Sequence, residues 1–131
     1  MVNRAEVSYK VGVSDARLKL RQQLLTECKV LQISDAYTLD KKVSPQQLKL
    51  IHQILFNQVT QKIGSKIAPK KFNWVIEIGY LPGVTDNIAA TAKEAIEDLL
   101  KKSFADQEGI YSSQLTYLSG SLSFKEVEKI A

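Results

Sequence analysis

The side chains in this 131-residue chain that could attack a carbonyl are one cysteine, Cys28, and its companion base is one histidine, His52. A thiol becomes a useful nucleophile when a nearby base or cation lowers its pKa and an oxyanion site stands beside it. Cys28 falls on the apolar row of one helix-periodic segment and His52 at the edge of another, and no glycine-flanked elbow surrounds the cysteine. The pair reads as a core thiol and a half-buried imidazole. Glu94, Glu97 and Asp98 share a helical stretch with Lys93, Lys101 and Lys102, at spacings that make solvated ion pairs. Neither G-x-x-x-x-G-K-[ST] nor G-x-G-x-x-G occurs, so no glycine-rich phosphate cradle is expected. A single cysteine and a single histidine do not make a thiolate or histidine zinc site. No catalytic residue and no metal ligand is assigned.

Two short turns keep some ligand potential. Gly12-Val13-Ser14-Asp15 recurs 71 positions later as Gly83-Val84-Thr85-Asp86, flanked by Pro82 and Asn87. Each follows an alternating segment and opens a helical one. A glycine turn at a helix N-terminus exposes amides that suit a carboxylate or phosphate. The aspartates oppose an anion there, and Ser14 or Asp15 in the first turn and Thr85 or Asp86 in the second are equally good helix caps. The candidate ligand-contact or interface positions are therefore Gly12, Ser14, Asp15, Pro82, Gly83, Thr85, Asp86 and Asn87.

The elements that would position these turns follow from periodicity. Ala5, Val7, Tyr9 and Val11 alternate with Glu6, Ser8 and Lys10; Phe72, Trp74, Ile76, Ile78 and Tyr80 alternate in the same way. Leu31, Ile33, Tyr37 and Leu39 share one face of a further strand, as do Tyr111, Leu115 and Tyr117. Helices are expected over 15–28, 44–63, 86–102 and from Ser123 onward. In the second of these Leu48, Ile51, Leu55, Val59 and Ile63 form the apolar stripe. Ser44 with Gln47, and Ser123 with Glu126, have capping-box spacing and lie 79 positions apart. The change of offset from 71 to 79 places about eight extra residues in the second half, most naturally at 103–110. The expected architecture is α+β: an open two-layer βαβα repeat, with mostly antiparallel sheet, helices on one face and a pseudo-twofold duplication. Its two repeats span about 1–63 and 72–131, joined by a linker at 64–71. Strict alternation favours a sheet covered by helices on one side only. The last helix is short beside its counterpart, so the chain reads as an N-terminal piece of a longer polypeptide.

Composition sets the class. Hydrophobic residues make up 44% and charged residues 24%, which suits a soluble domain. No apolar run is long enough to span a membrane, and the start has no secretion-signal core. A reduced, cytoplasmic setting is expected. The net charge of +4 equals the four lysines of residues 62–71, a polar stretch read as a solvated linker. Aromatics do not interleave with these lysines, so neither nucleic acid nor membrane is an expected partner.

The stretch Ile76-Glu77-Ile78-Gly79-Tyr80-Leu81-Pro82-Gly83-Val84-Thr85-Asp86-Asn87, continued by Ala90-Thr91-Ala92-Lys93-Glu94-Ala95, resembles phosphoribosylformylglycinamidine synthase. It is similar to the N-terminal region of the form that carries two fused copies of the small-subunit fold. Val11-Gly12-Val13-Ser14-Asp15-Ala16-Arg17 and Ile33-Ser34-Asp35-Ala36-Tyr37 are the matching parts of the first half. The first turn departs from the pattern: it has no proline before Gly12, and Leu18 and Leu20 stand where Ala89 and Thr91 do in the second. The resemblance implies a non-catalytic assembly module. It would dock between synthetase and glutaminase domains or subunits of one ATP- and glutamine-dependent ligase of purine biosynthesis. That enzyme converts formylglycinamide ribonucleotide to formylglycinamidine ribonucleotide. ATP and magnesium would be bound by the full-length enzyme, and no cofactor by this chain. Two other classes remain open on the residues themselves. Tyr80-Leu81-Pro82-Gly83-Val84 is similar to the amino-acid-binding turn of regulatory ACT domains, and a basic α+β chain also suggests RNA binding.

Overall fold

In the computed structural model, which describes residues 2–10, 12–80 and 86–130, the alternating segments form β1 (Val2–Tyr9), β2 (Lys29–Asp40), β4 (Trp74–Gly79) and β5 (Gly109–Ser119), joined by a short β3 (Gln61–Gly64). Helices α1 (Ala16–Leu24), α2 (Pro45–Leu55), α3 (Asn87–Leu100) and α4 (Phe124–Ile130) complete the described chain. The strands build one sheet in the order β3-β1-β2-β5-β4, every pair antiparallel. This is the expected α+β class. Among the described residues no helix is long and apolar enough to cross a membrane.

The helices lie on one face. Leu18, Leu25 and Cys28 pack around Val30, Ile33 and Leu118. Ile51 of α2 and Ala89, Ala92 and Ile96 of α3 pack on Leu39 and Ile110. Two helices are shorter than their periodicity suggests. The α2 stripe stops at Leu55, and Val59 is 81% exposed. Asn57 Oδ1 accepts from the Val59 amide, and Gln61 Oε1 accepts from the Asn57 amide. These local bonds offer the backbone an alternative to the helix, next to two β-branched residues that favour extended structure. The chain turns, and Ile63 pairs with Val7 instead of extending the stripe. Helix α1 ends at Leu24 because Gln22 fastens the following turn: its Oε1 accepts from the Val30 amide at 2.6 Å, and its Nε2 donates to the carbonyls of Leu25 and Cys28. Leu20 and Leu24, which share a helical row with Cys28 by their spacing, are exposed.

The expected linker is not simply solvated. Residues 64–71 cross the sheet face away from the helices, where Ala68 packs against Ala36, Leu115 and Tyr117. Gln32 Nε2 donates to the Ile67 carbonyl at 2.9 Å, and the Phe72 ring meets Tyr117 edge-on at 5.0 Å. Glu6 and Ser8, placed by alternation on an open face, are consequently buried. Lys66, Lys70 and Lys71 stay exposed.

Strand register relates the two halves. Val7 pairs with Asp35; the residues 71 and 79 positions further on, Ile78 and Gln114, also pair. Ala5 with Tyr37 maps in the same way onto Ile76 with Thr116. Asp35 itself pairs with Gln114 at the centre of the sheet. Asp15 and Asp86 both cap helices, and Ser44 and Ser123 both make reciprocal capping boxes. Helix α3 has 14 residues against nine in α1, and the connection into β5 (101–108) is longer than the connection into β2 (25–28).

Candidate functional site

Asp15 and Asp86 cap helices that pack on the central strands β2 and β5. Gly12 has φ of 86°, a left-handed conformation that a side chain would strain. Asp15 Oδ1 then accepts from the amides of Arg17 at 3.0 Å and Leu18 at 3.4 Å, while Ser14 is exposed and makes no cap. In the second turn Pro82, Gly83 and Thr85 lie outside the described residues. Asp86 caps α3 through the Ala89 amide at 2.9 Å and also reaches the sheet. It accepts from the Ser112 amide at 2.9 Å and the Ser112 hydroxyl at 2.6 Å. Burial works against its ionisation, but the bonds from Ser112 and Ala89 outweigh it and hold the carboxyl below its ordinary value. Asn87 turns away toward the α2–α3 groove beside Tyr37 and Ile54.

Between α1 and α3 lies a cleft of about 330 Å³ lined by Arg21, Asp35, Ile78, Tyr80, Ile88 and Ser112. Arg17 Nη1 pairs with Asp35 Oδ1 at 3.0 Å. Arg21 donates to Thr116 Oγ1 at 2.6 Å and to Gln114 Oε1 at 3.1 Å. Tyr37 stands beside this network; its phenol pKa is raised by burial first, then by Asp35 and Asp86. One tyrosine thus feels an acid from each half of the chain.

Gly12 and Asp15 line a separate cleft of about 260 Å³ with Tyr9, Leu18, Ile33 and Lys62, while Asp86 reaches the central cleft through Ser112. Arg17, Arg21, Asp35, Gln114 and Thr116 are not among the candidate site positions of the sequence, although Arg17 and Asp35 fall in the segments that carry the resemblance. Their signal was available: Asp35 sits between Ile33 and Tyr37 on a face otherwise read as apolar, where a charged residue needs a partner.

The cleft holds cations, carboxylates, an amide and hydroxyls that already bond to one another. Cys28 lies in the cluster under α1, where burial pushes its thiol up. His52 borders a small void among Ala5, Leu39 and Ile51, where burial lowers its pKa. Thiol and imidazole therefore sit in separate packing clusters. Among the described residues no group of three or more His, Cys, Asp or Glu is placed to hold a metal ion.

Comparison with protein-family models, with curated proteins and with solved structures finds no match for this chain.

Proposed function

We propose that the chain is a cytoplasmic, non-catalytic assembly module that couples the glutaminase and synthetase parts of an enzyme of the phosphoribosylformylglycinamidine synthase kind. The observation that carries this reading is the shared register. The offsets found between sequence motifs, 71 and 79, also carry the β1–β2 pairing onto the β4–β5 pairing around Asp35 and Gln114. That relation is what two fused copies of one small fold would produce, since linked copies reproduce the self-complementary contact of a twofold dimer. The resemblance of residues 76–95 to the synthase supplies the enzyme class.

In this reading the module binds no cofactor; ATP and magnesium belong to the synthetase part. The turns around Gly12 and Asp86 serve as structural corners of a docking body. The test is reconstitution: a synthase lacking the corresponding region is assayed with and without purified 1–131. Restored glutamine-dependent amidine formation, with little change in the ammonia-dependent reaction, is the expected result. Glutaminase turnover by 1–131 alone, or no physical association with the truncated enzyme, would sink the proposal. Calorimetry against free amino acids is the companion experiment, and saturable heats would favour the regulatory-domain reading.

A further inference from the structure

The strands at the two ends of the repeat relation are alike in sequence and register but not in neighbours. Glu6-Val7-Ser8-Tyr9 of β1 corresponds, 71 positions on, to Glu77-Ile78-Gly79-Tyr80. The outer edge of β1 is paired with β3: Glu6 with Gly64, Val7 with Ile63, Ser8 with Lys62 and Tyr9 with Gln61. Among the described residues nothing pairs with the outer edge of β4. The difference shows in the side chains: Val7 is 2% exposed, whereas its counterpart Ile78 is 51% exposed, with Val75 and Tyr80 exposed beside it.

An unpaired strand edge presents a row of amides and carbonyls with which another extended backbone can pair along its length, and proteins usually blunt such edges with lysine, proline or a bulge. β4 carries none of these. Its one charge, Glu77, is drawn to Arg4 across the sheet.

We propose that the outer edge of β4 is a docking site for an extended polypeptide segment, added antiparallel in the register that β3 takes on β1. The template also states the chemistry of the incoming strand. Ile63 stands opposite Val7 on the helix side, so an apolar residue is required opposite Ile78. Lys62 lies opposite Ser8, on the same face as Glu6 and diagonal to it. The partner accordingly carries a basic residue diagonal to Glu77, on the open face. A second copy of this chain fits less well, because its β4 edge carries no basic residue to set diagonal to Glu77. Backbone hydrogen bonds supply the affinity and the alternating side chains the choice of partner. Strand register alone carries this assignment, independently of any role in a synthase.

The test is a titration of the isotope-labelled full chain with a synthetic peptide of residues 59–65, its own β3 sequence. The concentration rises to a few millimolar, on the order of what a short tether provides. Saturable shifts and slowed amide exchange confined to residues 77–80 are expected. Ile78→Lys should abolish them while the rest of the spectrum stays in place, and a peptide with Lys62→Glu should bind several-fold more weakly. No saturable shift at that concentration overturns the proposal, as do shifts spread over the helices. Concentration-dependent dimerisation that protects β4 without peptide also overturns it, because a second copy then owns the edge.

Discussion

Arg4 Nη2 lies 2.8 Å from Glu77 Oε2, although β2 and β5 stand between their strands. The contact spans the face away from the helices. Ala36 and Ser113, paired with each other on the two intervening strands, are small, and the twist of a sheet brings opposite corners of one face together. The Ser113 hydroxyl donates to the same Glu77 oxygen at 2.5 Å. The first strand of one half is thereby tied to the first strand of the other by side chains rather than by pairing.

Arg4→Ala should cost less than about 1 kcal/mol, because both partners are more than a third exposed and such pairs are weak. Its clearer effect is on titration. Burial opposes ionisation of Glu77, yet Ser113 and Arg4 hold its carboxyl below the ordinary value. Its contribution to stability is therefore full above the ordinary glutamate pKa and lost as pH falls through the lowered one. In Arg4→Ala the Glu77 midpoint, followed by side-chain carboxyl NMR, should rise toward the ordinary value. An unchanged midpoint would mean that the ion pair does not form in solution.

A second cross-sheet contact is buried. The Tyr117 hydroxyl donates to Glu6 Oε2 at 3.0 Å beneath residues 64–71. Tyr117→Phe leaves a buried carboxylate without that donor and should cost about 1–3 kcal/mol in urea unfolding near neutral pH. Burial, and then Glu6, push the Tyr117 phenol up to about 12. A raised pKa gives stability that is full below the ordinary tyrosine value of about 10 and declines as pH rises through the folded value. Tyr117→Phe should flatten that alkaline decline as well as lower the plateau. A variant that loses neutral stability but keeps the wild-type alkaline slope would assign the slope to another group.

How much of this was legible in sequence depended on range. Alternation over 5–11 and 72–80 and the capping residues before each helix are local signals: strands form at Val2–Tyr9 and Trp74–Gly79, and caps at Asp15, rather than its neighbour Ser14, and at Ser44, Asp86 and Ser123. β3 was not legible: Val59 and Ile63 fit a helical period, and only pairing with Val7, more than fifty positions away, makes that segment extended. The burial of Glu6 and Ser8 depends on a crossing segment whose path no periodicity describes. The central cleft was half legible: the capping aspartates show in the sequence, but the bonds of Arg17 to Asp35 and of Arg21 to Gln114 and Thr116 depend on strands distant in sequence.

Asp15 and Asp86 are equivalent caps with unequal attachments, which predicts unequal costs. Asp15→Ala removes a helix cap and should lower stability by about 1 kcal/mol. Asp86→Ala also removes two hydrogen bonds from Ser112, and a total of about 2–3 kcal/mol is expected for a charged acceptor in a partly buried site. Asp86 is held below its ordinary pKa, so its share is present above that value and is lost on acidification through the folded one. Equal losses for the two variants would show that the Ser112 contact contributes nothing beyond the cap.

The segment over the open face should be the first place a protease enters. Lys66, Lys70 and Lys71 are exposed on it, while its hold on the sheet consists of Ala68 packing, the Gln32 bond to the Ile67 carbonyl and the Phe72–Tyr117 contact. Such a strap opens at much lower free energy than the sheet beneath it. Limited trypsin digestion followed by mass spectrometry should therefore cut within residues 66–71 before Lys42, Lys101 or Lys102, which are also exposed. Gln32→Ala removes the bond to the strap, and also the one from Gln32 to Ser34. It should speed that first cut several-fold with only a small change in the unfolding midpoint. If cleavage begins elsewhere, or if Gln32→Ala accelerates every site equally, the strap is part of the global unfolding unit. Glu6 and Tyr117 would then be uncovered only when the whole sheet opens.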